Sequence, residues 1–267
     1  MSTELKPKTS EINGRLWGAR AKEWADIQEP TFRPVYEAVL ARTAVGPGTQ
    51  YLDVGCGSGM AAKIAADRGA KVAGIDAAEA LLTIARSRTP NGKFEQGDLE
   101  SLPFADKAFD VVTGFNSFQY AGNPVVALKE ARRVSKSDGY IAIVTWGQPE
   151  GMEAASAVTA LRPLLPPPPP GAPGPFALSD ESALRKFASD AGLTGAEVFD
   201  VESPFIYPDE ATAIRGWNSA GVAARAMENS SEQAVSEAHA KAIASFRQAD
   251  GSYRMRATFR CLLARRQ

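Results

Sequence analysis

Three aspartates, each placed where a short apolar run ends, are the residues of this sequence best suited to bind a ligand. They are Asp53, Asp76 and Asp98, and the first is followed by a glycine-rich loop, Gly55-Cys-Gly-Ser-Gly59. Glycine lets a backbone turn sharply and lets a ligand approach without meeting a Cβ atom. Because ligands of open α/β sheets bind at the carboxyl ends of the strands, we expect the three acids at one edge of a sheet.

The charge beside the glycine loop indicates the type of ligand. Gly57, Gly59 and Ala62 fit the dinucleotide fingerprint G-x-G-x-x-G/A, so an NAD(P)-dependent oxidoreductase is one alternative. A pyrophosphate favours bare amides and a helix N-terminus, and the carboxylate of Asp53 would repel it. S-adenosylmethionine has a sulfonium, an ammonium and no phosphate, so the same carboxylate would attract it.

The two remaining acids match the rest of such a molecule. The carboxylate of Asp76 can accept both ribose hydroxyls, and that of Asp98 can accept the adenine amino group while Leu99 covers the ring. Aspartate at a strand end is also common as a turn former or helix cap, so each acid alone is a weak signal. As an ordered set with the glycine loop, they predict a cationic adenosine ligand.

Alternating strands and helices must position these acids. Strands are predicted to begin at Tyr51, Lys71, Lys93, Phe109 and Tyr140, and to span Val198–Val201 and Tyr253–Ala264. Helices are predicted over Met60–Arg68, Ala78–Arg88, Pro124–Val134, Ser179–Ala191 and Asp209–Ser245, with Ser179 as an N-cap, Gly192 as a stop and interruptions near Gly216 and Gly221. Apolar strands separated by helices of this length indicate a parallel sheet with helices on both faces.

The motifs around the acids together resemble one known family. They are Asp53-Val-Gly-Cys-Gly-Ser-Gly59, Gly74-Ile-Asp76, Gly97-Asp-Leu-Glu-Ser-Leu-Pro-Phe104, Phe109-Asp-Val-Val112 and Glu130-Ala-Arg-Arg-Val134. In combination they resemble the class I S-adenosylmethionine-dependent methyltransferases, in particular the small-molecule group that includes the ubiquinone and menaquinone biosynthesis enzymes. The resemblance is good from Tyr51 to Trp146 and looser elsewhere. Lys136-Ser-Asp-Gly139 departs from the family pattern, which affects a turn.

The resemblance implies an α/β, Rossmann-like fold. Its seven-stranded, mostly parallel sheet has the strand order 3-2-1-4-5-7-6 with strand 7 antiparallel. Helices cover both faces, a helical lid precedes the sheet, and a helical insertion separates strands 6 and 7. We therefore expect a disordered tail over 1–10 and one methyltransferase domain over 11–267. Its parts are a helical lid (11–44, divided by Pro30 and Pro34), a donor-binding core (45–150), substrate-side helices with a proline-rich loop and strand 6 (151–252), and a final strand (253–267).

The resemblance also implies roles for single residues. Gly55 and Gly57 would bring backbone to the methionine part of the donor, Asp76 would hold the ribose, and Asp98 and Leu99 the adenine. The neighbouring Cys56 and Ala77 are included in the predicted donor site. Asn116 would face the methyl donor, with Ser117 and Gln119 as weaker candidates, a helix-capping or solvent-facing amide being the alternative for Gln119.

The predicted lid helix carries Trp17 and Trp24, seven residues apart and so on one helical face, with Arg20 close to that face. They are candidate donor-site residues because similar enzymes close the site with this helix; fastening the helix to the sheet is the alternative. Trp146, Phe205, Tyr207 and Trp217 are candidates for an aromatic wall around the acceptor, or for the core.

No general base is indicated. His239 is the one histidine and a weak catalytic candidate, with a surface or packed position favoured. Methyl transfer needs chiefly alignment of donor and acceptor and exclusion of water. The acceptor is predicted to be a small molecule of aromatic or apolar character, and no metal is expected. A non-catalytic binding module on the same fold is a second alternative to the methyltransferase.

The bulk composition restricts the partners. With 30 basic and 31 acidic residues the net charge is −1, which argues against nucleic acid, and no stretch is apolar enough for a membrane span. Cys56 and Cys261 are predicted to be free thiols of a cytoplasmic protein. Pro166 to Pro170 favours an extended segment, either a stiff spacer or an active-site loop, with docking to a partner as the alternative.

Overall fold

A seven-stranded sheet forms the centre of the computed structural model, which describes residues 8–167 and 174–266. Its order is β3-β2-β1-β4-β5-β9-β6, and β9 runs antiparallel between β5 and β6. The strands are β1 (Gln50–Val54), β2 (Lys71–Asp76), β3 (Lys93–Gln96), β4 (Phe109–Phe115), β5 (Ser135–Trp146), β6 (Glu197–Glu202), β7 (Phe205–Tyr207), β8 (Tyr253–Met255) and β9 (Thr258–Arg265). The predicted fold, including the antiparallel last strand, is confirmed.

Helices cover both faces of the sheet. They are α1 (Thr9–Gly18), α2 (Ala21–Glu23), α3 (Arg33–Arg42), α4 (Met60–Asp67), α5 (Glu79–Arg88), α6 (Pro124–Val134), α7 (Ala155–Ala160), α8 (Glu181–Asp190), α9 (Glu210–Asn218), α10 (Gly221–Asn229) and α11 (Glu232–Ile243). Along β1, Tyr51 packs with residues of α3, α4 and α5, whereas Leu52 packs with α6 and α8. Burial on both faces explains why the central parts of β1, β2, β4 and β5 are mostly apolar.

The N-terminal region is helical but irregular. Helix α1 begins at Thr9, so Ser10 lies in a helix, although it was predicted to belong to the tail. Residues 1–7 of that predicted tail lie outside the described residues. A π-helical turn (Trp24–Gln28) and a 3-10 turn (Glu29–Phe32) separate α2 from α3. Pro30 and Pro34 stand in the first turns of the 3-10 segment and of α3. Proline is tolerated there because its missing N–H has no partner in the helix.

The predicted final strand, Tyr253–Ala264, is wrong in its extent. It divides at Arg256 and Ala257, because their carbonyl groups accept hydrogen bonds from Ala154 and Ser203 rather than from a continuing ladder. The first piece, β8, pairs with β7 in a separate two-stranded sheet, and only β9 enters the main sheet.

Two predicted helix boundaries also change. Helix α8 is capped by Asp180, whose side chain accepts from the amide of Ala183, and not by Ser179, whose hydroxyl donates to Phe176 O. Gly192, with φ +80°, ends the helical region as predicted. Gly216 lies inside α9. A larger residue would not fit there, because a Cβ at this position would stand 2.9 Å from the ring of Tyr207. It marks a close approach, and not an interruption.

The proline run predicted as a spacer lies largely outside the described residues, which stop at 167 and resume at 174. Among the helices within 8–167 and 174–266, none is both long enough and apolar enough to cross a membrane.

Candidate functional site

A cleft lies above the carboxyl ends of β1 to β4 and contains about 840 Å³ of empty space, part of it open to solvent. Its floor comes from the strand ends and the glycine loop, and its roof from the N-terminal helices. The lining residues are Ser10, Asn13, Trp17, Trp24, Phe32, Tyr36, Gly55, Gly57, Asp76, Ala77, Leu81, Gly97, Asp98, Leu99, Phe115, Asn116, Ser117, Tyr120, Ala121 and Gly122.

Asp76, at the end of β2, connects the loop to the cleft. Its Oδ2 accepts from the amide of Gly57 at 2.9 Å and its Oδ1 from the amide of Ala78 at 2.9 Å. Each carboxylate oxygen can accept a further hydrogen bond, so both keep capacity for a ligand. Burial raises the pKa of Asp76, and the backbone hydrogen bonds lower it.

Asp98, beyond the end of β3, occupies the other end of the cleft. Its Oδ1 accepts from the amide of Glu100 at 3.0 Å, and its Oδ2 accepts from the hydroxyl of Ser10 at 2.9 Å. Leu99 lies beside it in the lining. Sequence reasoning missed Ser10 because it assigned this residue to a tail.

Asp53 does not line the cleft. It lies beneath the glycine loop with 2% of its surface exposed, and Thr113 Oγ1 donates to its Oδ1 at 2.8 Å. Burial raises the pKa of Asp53 to about 7; the Thr113 hydroxyl lowers it, and the charges of Glu29 and Asp76 raise it. Cys56 is a buried free thiol that also lies outside the lining.

Asn116 follows β4 in a left-handed conformation, with φ +54°. A residue other than glycine rarely adopts this conformation, which is common at functional sites. Gln119 donates through Nε2 to the side-chain oxygen of Asn116 and does not itself line the cleft. Asn116 therefore lines the cleft with its side-chain oxygen held by Gln119.

Glu29 is the main residue that sequence reasoning missed. Its carboxylate lies at the N-terminus of α4, directly after the glycine loop, and accepts from the amide of Met60 at 3.3 Å and from Ser58 Oγ at 2.5 Å. Arg88 forms an ion pair with it. Burial raises the pKa of Glu29, against the lowering effect of Arg88. The helix N-terminus where a dinucleotide fold binds pyrophosphate is thus filled by a carboxylate of the chain itself.

The predicted lid residues separate into two groups. Trp17 lines the cleft and meets Trp24 edge to face, with 5.1 Å between ring centroids. Arg20 points away from the cleft and binds Glu23 and Glu232, so it connects the N-terminal region to α11.

His239 lies in the insertion with 1% of its surface exposed, and its Nδ1 is 2.7 Å from Asn218 Oδ1. Burial lowers its pKa to about 4. It does not line the cleft.

Aromatic side chains line the cleft, and the four residues considered for an acceptor wall take the alternative position, in the core. Trp146, Phe205, Tyr207 and Trp217 are buried in the core below β7 and β9. The cleft is instead lined by Trp17, Trp24, Phe32, Tyr36, Phe115 and Tyr120. Phe32 and Tyr36 stand one turn apart at the start of α3, a spacing visible in the sequence but typical also of core residues.

Comparison with known proteins supports the resemblance. Residues 52–143 match the family model of a methyltransferase domain. The chain is 32% identical over 149 residues to demethylmenaquinone methyltransferase of Renibacterium salmoninarum, covering 56% of this chain and 58% of that protein. It is 34% identical over 127 residues to malonyl-(acyl-carrier protein) O-methyltransferase of Serratia marcescens, covering 48% and 50%. The chain thus spans about half the length of these curated relatives.

A solved structure extends the likeness over more of the fold. The YcgJ protein of Bacillus subtilis superposes with a TM-score of 0.57 at 20% identity, covering 87% of this chain and 97% of that one. At that identity the likeness concerns the fold alone. The matched domain and the curated relatives confirm the family resemblance seen in the motifs. Residues 52–143 therefore match a methyltransferase domain, and the chain resembles the class I S-adenosylmethionine-dependent methyltransferases that act on small molecules.

Proposed function

We propose that this protein transfers a methyl group from S-adenosylmethionine to a small-molecule acceptor. The observation that carries the proposal is the filled anion position at the start of α4, where Glu29 takes the place of a phosphate. The cleft beside it is lined by the acids Asp76 and Asp98, and Asp53 lies directly below. These carboxylates favour a cationic, phosphate-free adenosine compound over a dinucleotide.

The chain's residues suit the parts of that donor. In this proposal Asp98 and Leu99 bind the adenine, Asp76 binds the ribose, and Gly55, Gly57 and Ala77 allow the close approach of backbone; all six line the cleft. The donor supplies a methyl group already activated on a sulfonium. The protein then has to align this carbon with the acceptor and exclude water. In this proposal the N-terminal region, residues 11–44, acts as a lid whose aromatic side chains keep water out of the cleft.

The aromatic wall at the acceptor end favours a flat or apolar acceptor. One relative is named as a methyltransferase of demethylmenaquinone and another as an O-methyltransferase of malonyl-(acyl-carrier protein). Tyr36, Phe115 and Tyr120 give the cleft a wall better matched to a ring than to a charged malonyl group. Because His239 is enclosed in the insertion, we assign no proton transfer to it.

The first test is ligand binding measured by calorimetry. We expect the protein to bind S-adenosylmethionine and S-adenosylhomocysteine, and to bind NADH and ADP at least tenfold more weakly, since the phosphates of both meet Glu29 and Asp53. Tighter binding of NADH would overturn the proposal and favour the oxidoreductase. If the donor binds but a panel of quinols, phenols and carboxylic acids yields no S-adenosylhomocysteine, the non-catalytic module is favoured.

The pH should change the preference for the charged donor. With a pKa of about 7, Asp53 is mostly neutral at pH 6 and mostly ionised at pH 8. Only the ionised form attracts a sulfonium, so the affinity ratio of S-adenosylmethionine to S-adenosylhomocysteine should rise with pH, by about tenfold between these values. Titration calorimetry at pH 6, 7 and 8 measures this ratio. Asp53→Asn is the control, because the affinity ratio of this variant should change only through the titration of the ligands themselves. If the affinity ratio of the wild type changes with pH no more than that of the variant, Asp53 does not attract the sulfonium.

A further inference from the structure

Three polar side chains meet inside the sheet, below the glycine loop. Tyr51 and Asp53 lie two residues apart on β1, so their side chains point to the same face of the sheet. Thr113 is the register partner of Asp53 on the neighbouring strand β4. All three are buried, with at most 2% of the surface of each exposed. Buried polar groups need hydrogen-bond partners, and these three provide them to one another.

The hydrogen bonds among these residues have one direction. Thr113 Oγ1 lies 2.8 Å from Asp53 Oδ1 and 2.7 Å from the hydroxyl oxygen of Tyr51. A threonine hydroxyl has one hydrogen, and an ionised carboxylate can only accept. Because Thr113 donates its hydrogen to Asp53, the hydroxyl of Tyr51 has to donate to Thr113. We call this chain of two hydrogen bonds, from Tyr51 through Thr113 to Asp53, the hydroxyl relay.

The hydroxyl relay stabilises the ionised form of Asp53. A hydrogen bond to a charged oxygen is roughly twice as strong as one between neutral groups, and consecutive hydrogen bonds polarise and strengthen one another. Protonation of Asp53 therefore weakens both bonds of the relay. In the described part of the chain the Tyr51 hydroxyl has no other hydrogen-bond partner, so it gains nothing in exchange.

The other surroundings of Asp53 favour its neutral form. Burial has the largest effect on its pKa and raises it, and the charges of two carboxylates also raise it: Glu29 from the N-terminal region and Asp76 at the end of β2. The Thr113 hydroxyl lowers the pKa, and the outcome is a value of about 7. Near neutral pH a single hydrogen bond thus decides whether Asp53 is charged.

The remaining ionisable groups nearby do not supply a compensating charge. Burial raises the pKa of Tyr51, of Tyr36 on α3 and of Cys56 in the glycine loop well above their ordinary values, so all three stay neutral. The guanidinium of Arg88 is bound to Glu29. Within residues 8–167 and 174–266 no basic side chain forms an ion pair with Asp53, so the hydroxyl relay takes the place of a cation.

We propose that Tyr51 and Thr113 are positioning residues that keep Asp53 ionised beneath the bound methyl donor. This inference rests on the proposed function, in which the charge of Asp53 attracts the sulfonium. It gives a role to two side chains that do not line the cleft. Without the hydroxyl relay Asp53 is mostly neutral at pH 7, and the protein distinguishes the charged donor less well from its demethylated product.

The first test measures the ionisation of Asp53 in the ligand-free protein. Carbon-13 NMR of protein labelled at the aspartate carboxyl carbons gives the pH midpoint of this titration, and Asp53→Asn identifies the signal. We expect Thr113→Val to raise the midpoint by about one pH unit, the effect of one hydrogen bond to a charged group. Tyr51→Phe should raise it by about half a pH unit, because it removes only the outer bond of the relay. Thermal melting verifies that both variants are folded.

Tyr207→Phe is the matched control. Its hydroxyl is buried like that of Tyr51, but it donates to Gln28 Oε1 at 2.8 Å and has no hydrogen bond to the relay. Its loss should leave the titration midpoint of Asp53 unchanged. Wild-type midpoints in both Thr113→Val and Tyr51→Phe, or an equal shift in the control, would overturn the assignment while leaving the proposed function intact.

The second test measures the affinity ratio of S-adenosylmethionine to S-adenosylhomocysteine by calorimetry from pH 6 to pH 9. In Thr113→Val the rise of this ratio should occur about one pH unit higher than in the wild type, which lowers the ratio up to about fivefold at pH 7 and restores it at pH 9. A purely structural role would weaken both ligands equally at every pH, and that result would also overturn the assignment. If the NMR midpoints shift as expected but the wild type binds neither ligand, the relay is supported and the proposed function fails.

Discussion

Replacing Asp76 by alanine is expected to weaken the binding of S-adenosylhomocysteine by at least about 100-fold. The variant removes the acceptors for two ribose hydroxyls, and each charge-assisted hydrogen bond contributes roughly 1.5–3 kcal/mol. It also frees the amides of Gly57 and Ala78, which Asp76 now holds at 2.9 Å, so the loop loses its shape. Calorimetry on the folded variant measures the loss.

Asp98→Ala is the matched control for this variant. It removes a carboxylate from the neighbouring strand end, but we expect only about a tenfold loss, because a single hydrogen bond to the adenine amino group is at stake. The protein groups that donate to the Asp98 carboxylate are the hydroxyl of Ser10 and the amide of Glu100, and both lose this acceptor in the variant. A larger loss in Asp98→Ala than in Asp76→Ala would contradict the proposed orientation of the donor.

The sheet and its acidic edge could be predicted because they depend on local signals. The apolar runs of β1, β2 and β4 end at polar or glycine residues, and these ends are where the ligand-facing residues stand. The strand predicted to begin at Phe109, for example, begins at that residue in the structure. The strand order came from the family resemblance, since no local pattern states which strands are neighbours.

Depth within the fold could not be predicted in the same way. Asp53 and Asp76 follow similar apolar runs, yet one lies under the glycine loop and the other lines the cleft. The difference arises because Thr113, on the neighbouring β4, reaches Asp53 and satisfies it inside the sheet. That contact joins residues 60 positions apart and leaves no trace in the spacing of either segment.

Glu29 was missed for a related reason. It stands next to Pro30, one of the two prolines that divide the predicted helical region 11–44, and no pattern in the sequence links it to the glycine loop. Its partners are 29 and 59 positions away, in the glycine loop and at the end of α5. Only the folded chain shows that this residue of the N-terminal region contacts the glycine loop.

Replacing Glu29 by alanine should lower the free energy of unfolding by about 3 kcal/mol, the usual effect of removing one member of a buried ion pair. Glu29 is 2% exposed, while Arg88 is 23% exposed on its side chain and would lose its anion. The amide of Met60 and the hydroxyl of Ser58 would also lose an acceptor. Urea unfolding monitored by circular dichroism measures the change.

Glu79→Ala separates this effect from the loss of an ordinary ion pair. Glu79 binds Arg86 on the same helix as Arg88, but both partners are exposed, so we expect a change of at most about 0.5 kcal/mol. Glu29→Gln should fall between the two, since an amide keeps the oxygen for Met60 and loses the charge for Arg88. Because Glu29 joins the N-terminal region to the glycine loop, its alanine variant should also bind S-adenosylhomocysteine more weakly than Glu79→Ala. Equal stabilities of Glu29→Ala and Glu79→Ala would mean that the ion pair of Glu29 with Arg88 does not stabilise the fold, and would contradict the prediction.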